Sequence, residues 1–196
     1  MFRSYMNSTP VCELIKTSRL IIEPFKESCL RKGIVEWLND PEVVRYSDQR
    51  HRVHTIETSR AYLESFAESA NGYWTISLRE MPETMIGSLT AYVDLPNAVA
   101  DVGILIGDKR YWRGGYGSEA VTGLIDWLFV RRGMRKVTAG TMEANTGMLG
   151  IMRRVGMHEE GRRKRYYILG SREVDMVLSA VFAEEWSNLK ASQGVR

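Results

Sequence analysis

The chain has 196 residues, of which 44% are apolar and 26% charged, and a formal net charge of +3. That is enough apolar material for the core of one soluble domain, and no window nears the ~18 continuous apolar residues of a membrane-spanning helix. The two cysteines, Cys12 and Cys29, exclude a disulfide framework and a cysteine metal cluster and fit a reducing cytoplasm.

SRLIIEPF (18–25) predicts a short strand stopped by Pro24. ESCLRKGIVEWLND (27–40) places Leu30, Ile34, Trp37 and Leu38 on one helical face. Asp40-Pro41 then restarts the chain as a helix cap and a first helical residue. YSDQRHRVHT (46–55) has no apolar period and reads as a loop, after which Thr55 caps a helix reaching about Ser69. GYWTISLRE (72–80) and TMIGSLTAYV (84–93) have strand composition around a short polar turn, which predicts an antiparallel hairpin. ADVGILIG (100–107) is the next strand, with Val102, Ile104 and Ile106 on one face. Residues 118–133 form an amphipathic helix closed by Gly133. KVTAGTM (136–142) is a strand, Asn145 caps a helix that Gly156 ends, and RRKRYYIL and VDMVLSAV flank GSRE as a last hairpin. The order is β-α-α-β-β-β-α-β-α-β-β. The hairpins exclude a purely parallel doubly wound sheet and predict an α+β fold around a mixed sheet.

YWRGGYGSEA (111–120) carries three glycines between a strand and a helix start. Free amides and the positive end of the helix dipole make such a turn an anion site. Gly115 and Gly117 would leave room for a phosphate at close range, and Ser118 could add a hydroxyl; an ordinary tight turn is the plainer alternative. The spacing matches neither the P-loop nor the dinucleotide fingerprint. The basic runs at 131–136, 152–154 and 161–165 fit solvated faces first, an anionic small ligand second and nucleic acid last.

Three segments in order, TSRLIIEPF, IGDKRYWRGGYGSEA and EANTGMLGIMRRVGMHEEG, resemble the GNAT superfamily of acetyl-CoA-dependent N-acetyltransferases. The resemblance runs from about Thr17 to about Val181 and is strongest to the branch that includes the ribosomal-protein N-acetyltransferases. It implies one domain over 1–196 with its core at about 17–181, and a mixed, mostly antiparallel sheet flanked by helices. It also implies acetyl-CoA as co-substrate, with the pyrophosphate on the amides of Arg113, Gly114, Gly115, Tyr116, Gly117 and Ser118. The pantetheine arm would pair with the backbone near Ile104 and Ile106 and touch Asn145. Trp112 stands where the wider superfamily has Gln or Arg. Homodimers are common in the family.

The implied reaction needs a neutral amine, alignment, an oxyanion donor and a proton for the thiolate. Asp101 is the candidate base, because it opens its strand beside the space left by Gly103; an exposed strand-end carboxylate is the bland reading. Glu143 is a second candidate. Met148 stands where many relatives carry a hydroxyl that could protonate the thiolate, and Tyr166 or Tyr167 could face the cleft instead. His51, Arg52 and Tyr167 are expected on the acceptor side. Two histidines three apart, His51 and His54, make a poor metal site, so no metal is expected. The acceptor is expected to be a small amine, such as a nucleotide-linked amino sugar, or a protein N-terminus. The rival reading is a CoA-binding sensor without turnover; membrane and nucleic-acid partners are not expected.

Overall fold

The computed structural model describes residues 12–31 and 33–194, so most of the expected N-terminal extension lies outside the described residues. The strands are β1 (Ile15–Lys16), β2 (Leu20–Pro24), β3 (Gly72–Leu78), β4 (Met85–Asp94), β5 (Val99–Ile106), β6 (Lys136–Met142), β7 (His158–Leu169) and β8 (Arg172–Phe182). The helices are α1 (Ile34–Asn39), α2 (Ile56–Glu64), α3 (Tyr116–Val130), α4 (Thr146–Arg154) and α5 (Ala183–Gly194). The sheet order is β1-β2-β3-β4-β5-β6-β8-β7, and among the described strands only β5 and β6 pair in parallel. The β5–α3–β6 crossover accounts for that exception, since parallel neighbours need a connecting helix. The mixed, mostly antiparallel α+β fold is therefore as expected, with β1 and α5 added at the two ends.

Alternation along the strands divides the side chains between two layers. Trp74 and Ile76 of β3, Leu89 and Ala91 of β4, and Ala100 and Val102 of β5 face α3. There they meet Val121, Leu124, Ile125 and Leu128, the apolar stripe of that helix, all at most 1% exposed. Burying each such Leu or Ile contributes about 1.5–3 kcal/mol. Trp74 meets Trp127 edge-on at 5.4 Å. The opposite layer is smaller and more aromatic: Phe25 stacks on Tyr73 at 4.2 Å, with Phe66 beside them and Ile34 of α1 buried.

Several local expectations are corrected. The helix expected over 27–40 is a 3₁₀ turn (Glu27–Arg31) followed by α1, because Gly33 takes a left-handed φ of 97° at the break. A side chain there would be strained in that conformation. Asp40-Pro41 starts no helix: the Asp40 carboxylate accepts from the amides of Glu42 and Val43 and closes a turn, and Lys109 pairs with Asp40 and Glu42. α2 keeps its Thr55 cap, with Thr58 completing a capping box, but stops at Glu64 and gives way to turns. The loop at 46–55 contains a short 3₁₀ turn, Asp48–His51. α5 rests on Trp186, whose indole donates to Asp126 at 2.7 Å.

One carboxylate fastens the start of α3 to the opposite end of the sheet. Glu119 accepts from the Thr17 hydroxyl (2.6 Å), the Ser18 hydroxyl (2.9 Å), the Arg19 amide (2.7 Å) and Arg19 Nε (2.6 Å). Partial burial pushes its pKa up, but these hydrogen bonds outweigh that and hold it below the usual glutamate range. Replacing Glu119 by Ala should cost about 2–3 kcal/mol, a Tm fall of roughly 5–10 °C for a domain this size. A pKa lowered by folding stabilises above the unfolded value and loses that contribution as pH falls through the folded value. The Tm gap between wild type and Glu119→Ala should therefore narrow in acid. Thermal melts at several pH values check both statements.

Candidate functional site

The site is organised by a separation of strands. β5 and β6 pair at Val99↔Lys136, Ala100↔Val137 and Asp101↔Thr138, and their shared register stops there. β5 continues to Ile106 held by β4 on its far side, and β6 continues to Met142 held by β8. A wedge opens between the two strands, and the β5 edge beyond Asp101 presents backbone groups without a strand partner. Ile104 and Ile106 lie on that length, half-buried against the α3 layer.

The glycine turn stands at the wide end of the wedge. Trp112 is bolted to β5 by an indole hydrogen bond to the Ile106 carbonyl at 2.7 Å. Arg113 (φ 61°) and Gly115 (φ 80°) are both left-handed, and Gly115 caps α3 without a side-chain bond. The first-turn amides of α3 therefore have no intrahelical acceptor and form, with the turn, a concave set of donors. Arg19 braces the turn from outside, with NH1 on the Gly114 carbonyl at 3.0 Å and its guanidinium 4.2 Å over the Tyr116 ring. Arg113 is exposed.

Two residues of the turn also make contacts with α4. A Cβ on Gly117 would meet Ile151 of α4 at 2.8 Å, so this glycine makes room for a neighbouring helix. Ser118 is buried and its hydroxyl accepts from Arg154 of α4 at 3.0 Å. In exchange, α4 brings the Arg154 cation to the start of α3. Neither Arg19 nor Arg154 was singled out from sequence, because each acts on the turn from a distant segment.

Asn145 caps α4, accepting from the Met148 amide at 3.1 Å and donating to Thr141 Oγ1 at 3.0 Å. Met148 packs into the core. Asp101 lies at the vertex of the wedge, opposite Tyr92 in register. Protein packed around one side of it raises its pKa; the Thr138 hydroxyl, donating at 2.7 Å, only partly offsets this. Its outer side stays open to solvent. Glu143, the second base candidate, is tied to the Asp175 amide and Arg162.

On the same face as Asp101, a cleft of about 420 Å³ runs between α1, α2 and the sheet. Gly103 and Leu105 line its floor, and Arg52 and His54 come from the preceding loop. The lining residues include no carboxylate. His54 Nε2 lies 3.1 Å from the Gln49 carbonyl. The structure brings Arg52 to the cleft but leaves His51 on the outer surface and Tyr167 on β7, outside the lining set. Tyr166 is 51% exposed and crosses Tyr167 edge-on. A larger groove of about 600 Å³ lies behind α3 beside β1, away from the wedge. Among the described residues no group of His, Cys, Asp and Glu is arranged to hold a metal, and no helix is long and apolar enough to cross a membrane.

Residues 19–158 match the model of the acetyltransferase (GNAT) domain family. An uncharacterized N-acetyltransferase of Bacillus subtilis, YnaD, is 24% identical over 173 residues, spanning 88% of this chain and 99% of that protein. Among solved structures, a ribosomal L7/L12 α-N-protein acetyltransferase in complex with coenzyme A superposes with a TM-score of 0.78 at 19% identity, covering 88% of this chain and 99% of that one. A spermidine N-acetyltransferase from Vibrio cholerae, in complex with CoA and spermine, gives 0.78 at 15% identity over 88% and 100%. With the family match spanning most of its length, and with the strand wedge and glycine turn in place, the chain belongs to the GNAT family of acetyltransferases.

Proposed function

We propose that this enzyme transfers acetyl from acetyl-CoA to the primary amine of a small, anionic or uncharged acceptor that enters through the cleft under α1 and α2. The observation that carries the reading is the wedge: the β5–β6 register ends at the Asp101–Thr138 pair, with a carboxylate at its vertex and an anion-binding turn at its mouth. In this reading the pyrophosphate rests on the amides of residues 113–118, with Arg154 adding charge. The pantetheine arm pairs with the β5 edge near Ile104 and Ile106, beside Asn145. That leaves the thioester at the vertex, where the cleft and Asp101 meet.

The chemistry then follows. Asp101 removes a proton from the incoming ammonium, and a raised carboxyl pKa makes it a better base near neutral pH. The amine nitrogen attacks the thioester carbonyl, an unpaired β5 amide takes the developing oxyanion, and the C–S bond breaks. Met148 has no proton to give, so the leaving thiolate takes its proton from water, which receives in turn the second proton shed by the acetylated nitrogen, and Asp101 returns its own proton to solvent. A sensor without turnover would need no base at the vertex. We place the enzyme in the cytoplasm, where the free thiols of Cys12 and Cys29 stay reduced.

The acceptor reading rests on charge. Arg52 and His54 line the cleft and no carboxylate does, which disfavours a polyamine such as the acceptor named for the V. cholerae enzyme. A protein N-terminus, as named for the L7/L12 enzyme, is the second option. An anionic amine fits the lining best.

Replacing Asp101 by Asn should lower kcat by about 10²–10⁴ and shift the acid limb of the kcat profile, with acetyl-CoA affinity by calorimetry unchanged. An unaltered profile and rate would place the base elsewhere. Arg52→Ala should raise the KM for an anionic amine without changing that for acetyl-CoA, and added salt should raise the wild-type acceptor KM, since screening weakens exposed charge contacts. Steady-state assays of free-thiol release measure both; indifference to mutation and salt would favour a peptide or polyamine.

A further inference from the structure

Most hydroxyls that line the acceptor cleft already have partners. Ser47 accepts from the Gln49 amide, Thr58 closes the capping box with Thr55, Ser88 serves the Tyr73 hydroxyl, and Tyr62 and Tyr92 bond each other at 2.7 Å. Two do not. Ser59 of α2 is 6% exposed, and its Oγ is buried without a hydrogen-bond partner, the one such side-chain atom among the described residues. The usual escape for a helical serine is the carbonyl four residues back. Here that carbonyl, of Thr55, already accepts from the Ser59 amide at 3.0 Å and the Thr58 hydroxyl at 3.1 Å. Thr90 of β4 is the second: its hydroxyl makes no hydrogen bond among the described residues. It lies over Gly103, 2.7 Å from where a Cβ at that position would be. Both residues line the same cleft, one from the helix side and one from the sheet floor.

A buried hydroxyl left unpaired is costly, and in native proteins such exceptions are few. Gly103 keeps the floor beneath Thr90 clear. We propose that Ser59 and Thr90 form a recognition pair for a hydroxyl group on the acceptor, which makes the substrate class a hydroxylated primary amine of the amino-sugar kind. This rests on the acetyl-transfer reading above and adds to it a chemical requirement separate from charge. A site that pairs a buried hydroxyl such as that of Ser59 with a substrate hydroxyl discriminates against an analogue lacking one, because the buried group is then left unsatisfied.

Two anionic amines separate the requirement from charge: D-glucosamine 6-phosphate, which carries hydroxyls, and 2-aminoethyl phosphate, which carries none. With acetyl-CoA and free-thiol detection, wild type should favour the first by about tenfold or more in kcat/KM. Ser59→Ala and the near-isosteric Thr90→Val should each cut that preference about fivefold or more. The change should fall mainly on the KM of the hydroxylated amine, with the KM for acetyl-CoA held and the Tm held or raised. Equal use of the two amines by wild type, a preference unmoved by both variants, or a lowered Tm in both would overturn the proposal. Wild type that binds acetyl-CoA by calorimetry but acetylates neither amine would also overturn it, while leaving the transferase reading intact. Failure to bind acetyl-CoA would remove the reading beneath it.

Discussion

Everything at this site depends on two parallel strands parting after three paired residues. β5 and β6 are each anchored on their outer sides, by β4 and β8, so the wedge between them is held open by the sheet itself. Separated strand edges expose amides and carbonyls that elsewhere are consumed in pairing. A ligand arm carrying amides of its own can satisfy them in the manner of a strand. Asp101 and Thr138 are the last residues to pair, at the vertex of the wedge. Position on the sheet, more than any side-chain constellation, makes this carboxylate a candidate base.

The glycine turn serves two masters. Gly115 answers to backbone conformation, with a φ of 80° where α3 begins, while Gly117 answers to packing against Ile151. The turn is also held from outside: Arg19 reaches the Gly114 carbonyl and shares Glu119 with Thr17 and Ser18, so the first strand, the turn and α3 form one fastened unit. Donor amides held this way need little reorganisation when an anion arrives, which is how a fixed backbone binds charge efficiently.

Much of this was legible in the sequence, for a physical reason. Strand composition over 72–93 marks two largely buried strands, while the alternation of Val102, Ile104 and Ile106 and the 3.6-residue stripe from Val121 to Leu128 report the side that packs into the core, which is what periodicity measures. Asn145 was readable as a cap because capping is local. The misreadings arise where distant segments decide the outcome. Gly33 breaks a helix whose apolar spacing continues across it. The Arg154 partner of Ser118 comes from α4, which no local pattern around the glycine turn announces. His51 and Arg52 are neighbours in sequence, yet the turn at Asp48–His51 sends only Arg52 to the cleft. The unsatisfied Ser59 was invisible beforehand, since being unpaired is a property of everything around a group.

The acceptor side and the donor side thus obey different rules. In the proposed reading the donor would meet backbone, fixed by strand register and a helix start. The acceptor would meet side chains from α2, β4 and the loop at 46–55, where chemistry can diverge on a common fold. The central claim, that the open β5 edge receives the donor, is tested most directly by amide hydrogen exchange over β5 with and without coenzyme A. The account predicts that CoA slows exchange at residues 103–106 and in the turn at 113–118, while β3 is unchanged. Exchange in β5 that is the same with and without CoA, under conditions where calorimetry shows CoA bound, would contradict it.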